Sequence, residues 1–402
     1  MQETIPEILF WTCAGLVFCV YCGYPIVLAI LGFWSPQRSI PENLSFPRVS
    51  LIISAFNEQS VLAKKLANSI NLNYPEGLLE VVVVSDCSDD DTDDIVKSFS
   101  GAGVRLIRQT ERLGKTSGLN LAVPQTSGEI IVFSDANALY QSDALRNLVK
   151  HFSDPTVGYV VGNARYTDRT GLTASAESEG LYWKLEAWLK QKESRFGSVV
   201  GGDGAIYAIR RELFTPLKIT DINDLVNPLQ IIACGFRGVY EPSAVCYEDA
   251  GDSFEKEFRR KIRIISRSLN ALRRVPSVLL PWNQFRHWMC LILHKALRWF
   301  VPIFLLVIFM CSLLLWRYWL YRLAAVVQAG FYALALVAWV MGPRRSSFKG
   351  LYLPYYFCLV NLASLFGIVK FCSGSFSATW QTVRENDSAT SNPSAYVARR
   401  RL

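Results

Sequence analysis

Four long stretches of the sequence contain no charged residue, and this feature limits the possible folds more than any other. The stretches are Ile8–Pro36, Trp299–Trp316, Leu323–Met341 and Leu351–Ile368. A helix needs about 20 mainly apolar residues to cross a bilayer. Buried core helices would explain one such stretch, but several in close succession favour membrane helices. We therefore predict an integral membrane protein with one transmembrane helix in residues 1–37, further ones in residues 299–371 and a polar tail in residues 372–402.

Charges beside these stretches indicate the orientation. Glu3 and Glu7 precede the first stretch without any Lys or Arg, which argues against a cleaved signal peptide and places the amino terminus outside. Arg344, Arg345 and Lys349 lie in the loop before the last stretch, as is usual for a cytoplasmic loop. The soluble part of the chain is therefore expected in the cytosol.

Residues 38–254 have the composition of a soluble α/β domain. Apolar, β-branched runs alternate there with helix-like polar segments. The runs are Val49–Ser54, Leu79–Asp86, Gly103–Gln109 and Glu129–Asp135. This alternation predicts a Rossmann-type, mainly parallel central sheet covered by helices, which binds its ligands at the carboxyl ends of the strands.

Basic residues are concentrated in Glu255–Arg274, within a chain whose formal charge is +8. The apolar residues of this segment recur at spacings of three and four, so they form one stripe on a helix. Such a helix could bind nucleic acid, but next to transmembrane stretches a helix at the membrane surface is the better interpretation. We predict amphipathic interfacial helices in residues 255–298, with membrane lipids and not nucleic acid as partners.

Polar side chains follow three of the predicted strands, namely Asn57 and Glu58, then Asp86, then Asp135 and Asn137. They would meet in one crevice at the carboxyl edge of the sheet. If the chain stays extended after Asp135, alternation places Asp135 and Asn137 on the same side, and their oxygens suit Mg²⁺ or Mn²⁺. From these residues alone, a polar turn that closes a buried strand is the favoured explanation.

Other motifs fail on inspection. The segment around Lys115 resembles a phosphate loop, but Gln109 stands where that motif needs glycine. The acidic run from Asp89 has Asp94 at the position where a calcium loop needs glycine. The three histidines lack a zinc spacing, so histidine-based catalysis is not expected.

Six segments resemble a known family when they are taken in chain order. They are VSLIISAFNE, VVVVSDCSDDDTDDI, RLGKTSGLNLAV, FSDANALY, GGDGAIYAIRREL and INDLVNPLQIIACGFRGVYEP. Together they make residues 47–272 similar to the membrane-embedded family 2 glycosyltransferases, which include cellulose, chitin and hyaluronan synthases. The resemblance implies a GT-A-like fold and an inverting enzyme of the bacterial inner membrane. Such an enzyme would transfer a hexosyl or N-acetylhexosaminyl group from a nucleotide sugar, here a UDP-sugar, to a lipid-linked or growing polysaccharide acceptor.

The resemblance also assigns roles to residues. Asp224 becomes the catalytic base, and Asp135 and Asn137 become ligands of Mg²⁺ or Mn²⁺. The donor-binding residues are Ala55, Glu58, Asp86, Lys115, Asp135 and Arg263, and the acceptor-side residues are Asp203, Gly204 and Tyr207. A metal ion would neutralise the leaving diphosphate, while the base deprotonates an acceptor hydroxyl on the opposite face of the sugar. The alternative role for Asp224 is that of a helix N-terminal acid favoured by the helix dipole.

Three departures from the family pattern bear on this assignment. Asn137 replaces an acid in the metal motif, and Asn223 precedes Asp224 where relatives have an acid. Ile264 stands where processive synthases have a Trp that stacks on the acceptor sugar, and it offers no aromatic platform. The missing Trp favours single addition, whereas several transmembrane helices and an interfacial helix leave processive synthesis with secretion open.

A second class of protein stays open, namely a catalytically degenerate membrane scaffold subunit. Retention of Asp86, Asp135 and Asp224 favours the enzyme. The side of the tail is also open. It lies outside if all four stretches span, whereas its segment with Trp380 and Arg384 resembles one that hyaluronan-synthase-like relatives hold at the cytosolic active site. An additional, poorly apolar span in Val278–Leu297 is a further alternative.

Overall fold

The computed structural model describes residues 4–35, 45–167, 174–249, 254–282, 284–341 and 352–374. The chain divides into two compact units. The sheet unit comprises the described residues of Arg38–Thr167 and Gly201–Asp249, and the helical unit those of Met1–Gln37, Asp168–Val200 and Ala250–Phe376. Residues 168–200, which we predicted within the soluble domain, thus group with the helical unit.

The elements of the described residues are numbered in chain order. The α-helices are α1 (Thr4–Phe18), α2 (Tyr24–Trp34), α3 (Gln59–Ile70), α4 (Thr92–Ser98), α5 (Lys115–Ala122), α6 (Ala144–Val149), α7 (Ala174–Phe196), α8 (Asn223–Ala233), α9 (Phe254–Arg274), α10 (Phe285–Cys290), α11 (Leu297–Leu314), α12 (Trp319–Met341) and α13 (Tyr352–Cys372). The strands are β1 (Val49–Ala55), β2 (Leu79–Ser85), β3 (Val104–Arg108), β4 (Ile130–Asp135), β5 (Leu139–Tyr140), β6 (Val157–Thr167), β7 (Tyr207–Arg210) and β8 (Arg237–Asp249).

The sheet unit is built on one eight-stranded sheet with the order β3-β2-β1-β4-β7-β6-β8-β5. Strands β3, β2, β1 and β4 pair in parallel, and so do β6 and β8. Strand β7 is antiparallel to β4 and β6, and β5 is antiparallel to β8. All strands except β5 and β7 therefore run in one direction, which confirms the prediction of a mainly parallel α/β sheet.

The apolar runs of the sequence form the central strands because both faces of the sheet are covered. Every residue of Val49–Ala55 is buried, and β4 is buried up to Ser134. Helix α3 covers one face with Leu62 and Leu66, which are inaccessible to solvent. Since Ser54 lies opposite Asp135 in the β1–β4 ladder, the carboxyl ends of these strands carry their polar side chains to one edge.

The helical unit contains four helices that are long and apolar enough to cross a membrane. They are Thr4–Gly32, Phe285–Leu314, Trp319–Met341 and Leu353–Cys372. Large apolar side chains on them stay exposed, for example Trp11 at 55%, Leu314 at 71% and Val340 at 72%. Such surfaces are unfavourable in water and favourable in lipid, so they support the prediction of a membrane protein.

Two sequence predictions change within this unit. Phe285–Leu314 is a continuous helix of 30 residues, with a π-helical turn at Leu291–Ala296, so the segment before Trp299 extends a span and does not form an additional one. The predicted boundary between residues 298 and 299 falls inside this helix. Helix α9 matches the predicted amphipathic segment. The tail with Trp380 and Arg384 and the loop with Arg344, Arg345 and Lys349 lie outside the described residues.

Candidate active site

Three charged side chains from separate elements of the sheet unit surround Gly204. A Cβ atom at Gly204 would lie 3.5 Å from Asp135 Oδ2, 3.7 Å from Asp224 Oδ2 and 3.7 Å from Lys115 Nζ. Asp135 ends β4, Lys115 begins α5 and Asp224 lies in the first turn of α8. Four residues that the sequence assigned to metal, donor, acceptor and base roles therefore meet at one place.

Lys115 and Asp135 form an ion pair within this group. Lys115 Nζ lies 2.5 Å from Asp135 Oδ1, and the Asp135 side chain is 39% exposed. Lys115 begins α5 directly after Gly114, whose φ of 89° is readily adopted by glycine and strained for other residues. The tight turn at Gly114 thus aims the ammonium group at the end of β4, while the carboxylate stays open to a further ligand.

The chain turns after Asp135, which corrects the expectation that it stays extended. Residues 136–137 form a turn, and Ala138 N donates a hydrogen bond to Asp135 O over 3.2 Å. Strand alternation therefore does not place Asn137 beside Asp135, and its role as a metal ligand stays a prediction. Among the described residues no group of three or more His, Cys, Asp or Glu could hold a metal. One aspartate with a nearby carboxamide fits a Mg²⁺ or Mn²⁺ ion that keeps water and substrate phosphates as ligands.

Asp86 is held rigidly where β2 ends. Its Oδ1 accepts hydrogen bonds from Gln109 Nε2 (2.6 Å), Leu113 N (2.9 Å) and Gly114 N (2.9 Å), and its own N–H donates to Ala55 O. Its Oδ2 is buried and has no hydrogen-bond partner among the described residues. Burial raises the pKa of Asp86, although the two backbone N–H groups act in the opposite direction.

The loops that follow β1 and β2 are tied to each other. Asn57 N donates to Ser88 Oγ (3.2 Å), and Glu58 N donates to Thr92 Oγ1 (2.8 Å). Asn57 and Cys87 have positive φ values of 52° and 58°, which are uncommon outside glycine and tend to occur at functional sites. The predicted donor-binding residue Glu58 therefore lies in a constrained loop.

Tyr207, predicted on the acceptor side, is completely buried. Its hydroxyl accepts hydrogen bonds from Asn223 Nδ2 (2.9 Å) and Asn227 Nδ2 (3.2 Å), both in α8. Its ring stacks on Phe133 of β4, with the centroids 4.8 Å apart. Tyr207 therefore joins β4 to α8 beneath the site. At the departure from the family pattern, the carboxamide of Asn223 thus donates to the Tyr207 hydroxyl.

The loop before β7 holds the remaining acceptor-side residues. Gly202 N donates to the carbonyl of Asp224, and Asp203 Oδ1 accepts from Ala205 N over 3.3 Å. The loop that contains Gly204 is thereby fixed to the start of α8. Arg263 lies in α9 of the helical unit, and its role in donor binding stays a prediction.

Two residues of this region were missed by the sequence analysis. Gln109 was considered only as a failed phosphate-loop position, yet it donates the shortest hydrogen bond to Asp86. Lys65 is completely buried in α3 and donates to Ser134 Oγ and Ala138 O, on either side of the Asp135 turn. The spacing of Lys65 from Leu62 was the available signal, since residues three apart share a helix face.

Comparisons with known proteins concern the fold and the family of the sheet unit. A likeness in fold is found with PcManGT, a mannosyltransferase from Pyrobaculum calidifontis solved in complex with GDP-Man and Mn²⁺. It has a TM-score of 0.66 and 24% identity, and the match covers 90% of this chain and 99% of that one. The fold is therefore that of the GT-A glycosyltransferases. Residues 50–216 match the family model for glycosyl transferase family 2. This match is to the same family that the six motifs resemble.

Two curated relatives are similar to part of this chain. Beta-monoglucosyldiacylglycerol synthase from Trichormus variabilis is 31% identical over 177 residues, which are 42% of this chain and 36% of that protein. Poly-beta-1,6-N-acetyl-D-glucosamine synthase from Staphylococcus aureus is 21% identical over 221 residues, which are 54% of this chain and 53% of that protein. The chain thus spans 36% and 53% of the lengths of these relatives.

Proposed function

We propose that this protein is an inverting glycosyltransferase that acts at the cytosolic face of the membrane. It moves a sugar from a nucleotide-sugar donor, a UDP-sugar, to a lipid-linked or growing polysaccharide acceptor. The observation that carries the proposal is the meeting of Asp135, Lys115 and Asp224 around Gly204. A direct displacement needs positive charge beside the leaving group and a base beside the acceptor, and these residues provide both.

Asp224 is the base in this mechanism. The acceptor oxygen bonds to the anomeric carbon while the bond between that carbon and the diphosphate breaks. The hydroxyl proton passes to the Asp224 carboxylate, and the bonding electrons leave with the diphosphate, whose charge Lys115 balances. A divalent ion held by Asp135 and Asn137 would act as a Lewis acid on the same phosphate oxygens. Because the acceptor hydroxyl attacks one face of the sugar and the diphosphate leaves from the opposite face, the configuration at the anomeric carbon is inverted.

Asp86 is the proposed contact to the nucleobase. Its Oδ1 is occupied by three donors, whereas Oδ2 lacks a partner among the described residues. An unsatisfied buried acceptor costs about 1–3 kcal/mol, so an N–H donor placed beside it recovers free energy on binding. Uracil offers such a group at its N3 position, which supports a UDP-sugar as donor.

The acceptor is proposed from the relatives and from Ile264. One relative is a glycolipid synthase and the other a polysaccharide synthase. Ile264 lacks the aromatic face that would stack on a sugar chain, which favours single addition to a lipid-linked acceptor. Processive synthesis with secretion is the alternative. A degenerate scaffold is disfavoured because Asp135 and Asp224 still face the same glycine.

Transfer from a panel of radiolabelled UDP- and GDP-sugars, with sizing of the products, tests this proposal. Membranes that contain the protein should label a lipid-extractable or polymeric product from one UDP-sugar. Asp224→Asn should keep donor binding and lower transfer by about 10²–10⁴-fold, the usual loss when a general base is removed. The exposed Asp94→Asn is the matched control and should retain full activity. Absence of transfer from every donor, or a fall of less than about tenfold in Asp224→Asn, would contradict the proposal.

A further inference from the structure

Lys65 is a charged residue in the core of the sheet unit, and the mechanism above does not use it. Its side chain is completely inaccessible to solvent, in the middle of α3 and between the buried Leu62 and Leu66. Lysine is almost never fully buried unless it is paired. A leucine or methionine would pack in this place without the cost of removing an ammonium group from water.

The contacts of Lys65 explain why a lysine occupies this position instead of an apolar residue. Its Nζ donates to Ser134 Oγ at 2.9 Å and to the carbonyl of Ala138 at 2.5 Å, and it lies 4.0 Å from the centroid of the Tyr140 ring. Two oxygens and a ring face engage the three N–H donors of an ammonium group. The carboxylates of Asp135 and Glu248 also act on the ammonium group electrostatically and raise its pKa, although neither accepts a hydrogen bond from it. Burial lowers the pKa of Lys65 to about 7, in accord with this desolvated position.

These contacts lie at the two ends of the turn that follows β4. Ser134 precedes Asp135 and Ala138 follows Asn137, so one side chain fastens both ends of the Asp135-Ala136-Asn137 segment. The turn itself is closed by a single backbone hydrogen bond, from Ala138 N to Asp135 O. One helical turn further along α3, Asn68 holds Tyr140, two residues after Ala138, through two hydrogen bonds with its backbone, of 2.8 and 2.9 Å.

We infer that Lys65 is a positioning residue that holds Asp135 and Asn137 in the geometry needed for a divalent cation bound to a nucleoside diphosphate. The inference rests on the proposed function. It gives α3 a task beyond covering the sheet, because Lys65 in α3 holds the residues on either side of the turn that carries the proposed ligands. Removal of groups that orient metal ligands commonly weakens metal affinity or activity by about 10–100-fold.

Direct binding of Mn²⁺ in the presence of UDP, followed by the electron paramagnetic resonance signal of free Mn²⁺, tests this role without any need for turnover. Lys65→Met keeps the length and apolar stem of the side chain and removes its donors. We expect its Mn²⁺ dissociation constant to rise by about 10-fold or more. In transfer assays the half-saturating Mn²⁺ and donor concentrations should rise, whereas kcat at saturation falls less. A merely structural role would instead lower the amount of folded protein and leave the affinity of the folded fraction unchanged.

Ser69→Ala is the matched control. Ser69 lies one turn along α3, is equally buried, and donates only to the carbonyl of Lys65, so this variant should bind Mn²⁺ like the wild type. If Lys65→Met does not fold, Ser134→Ala tests the inference instead. It removes one hydrogen-bond acceptor of Lys65 and should therefore weaken Mn²⁺ binding. Wild-type Mn²⁺ affinity in the folded Lys65→Met, or in Ser134→Ala, would overturn the inference. Failure of the proposed function is a separate result, in which the wild type binds Mn²⁺ and UDP but transfers no sugar.

Discussion

The negative charge of Asp135 is neutralised by Lys115, whose Nζ lies 2.5 Å from Asp135 Oδ1. A divalent cation at this carboxylate therefore has to share it with an ammonium group. This arrangement suits a site that fills together with its donor, because the diphosphate brings negative charge for both cations. We predict that Asp135→Ala abolishes transfer and cation-dependent donor binding. Asn137→Asp should be tolerated and should tighten cation binding, since a carboxylate is a stronger ligand than a carboxamide. Titration with Mn²⁺ and with a chelator measures both effects. Full activity of Asp135→Ala, or undiminished activity of the wild type in chelator, would refute the metal assignment.

The residues that could be predicted from the sequence are those set by local geometry. Asp86 and Asp135 come at the ends of apolar runs, and Lys115 begins a helix after a glycine, so each could be placed from its neighbours in the chain. Gln109 and Lys65 could not, because their roles depend on which strand and which turn pack against them. The same limit applies to Tyr207, whose burial depends on the approach of α8.

Among the elements, the last strands of the sheet show what the apolar pattern does not specify. The parallel strands β1, β2 and β4 follow from apolar runs that are largely buried, and the edge strand β3 is buried only at Val104 and Ile107. Strand β5 has two residues and β7 has four, which are too short for a periodic signal, and both are antiparallel to their neighbours. The pairing partners of β8 also lie far away in the sequence. Long-range pairing therefore sets this half of the sheet.

Strand β8 is joined to the helical turn after α6 by a buried charge network. Glu241 Oε2 lies 2.9 Å from Lys150 Nζ and 2.7 Å from His151 Nε2, and its Oε1 accepts a hydrogen bond from Ser243 N. Burial by itself would raise the pKa of Glu241, but the bonds from His151 and Lys150 outweigh it and lower the pKa from 4.5 to about 2. Since the folded pKa lies below the unfolded one, the ionised carboxylate stabilises the fold above about pH 4.5, by roughly 3 kcal/mol.

We therefore predict that Glu241→Gln lowers the thermal unfolding midpoint at pH 7. The deficit relative to the wild type should shrink as the pH falls from 4.5 towards 2, because the wild type loses its stabilisation over that range. Differential scanning fluorimetry of the detergent-solubilised protein measures the midpoint. The exposed Glu76→Gln is the control and should behave like the wild type. A constant deficit at every pH would show that Glu241 stabilises the strand through packing and not through its charge.

For the whole molecule, the arrangement across the membrane follows from the number of spans and from the charges beside them. Four candidate helices place both ends of the chain on the same side if all of them span. The acidic residues before the first helix favour the outside, and Arg344, Arg345 and Lys349 before the last helix favour the cytosol. These two preferences agree in the proposed topology, where one crossing would carry the sheet unit into the cytosol and two more would return the chain there before the last span.

The last prediction tests this topology. A cysteine introduced at Ser388 should react with an impermeant thiol reagent in intact cells, after accessible native thiols such as Cys372, at the end of the last helix, have been masked. A cysteine at Ser346, in the basic loop, is the matched control and should react only after lysis. Labelling of the Ser388 site only after lysis would return the tail to the cytosol. In that case the last helix would not span, and Trp380 and Arg384 would become candidates for contact with the acceptor at the active site.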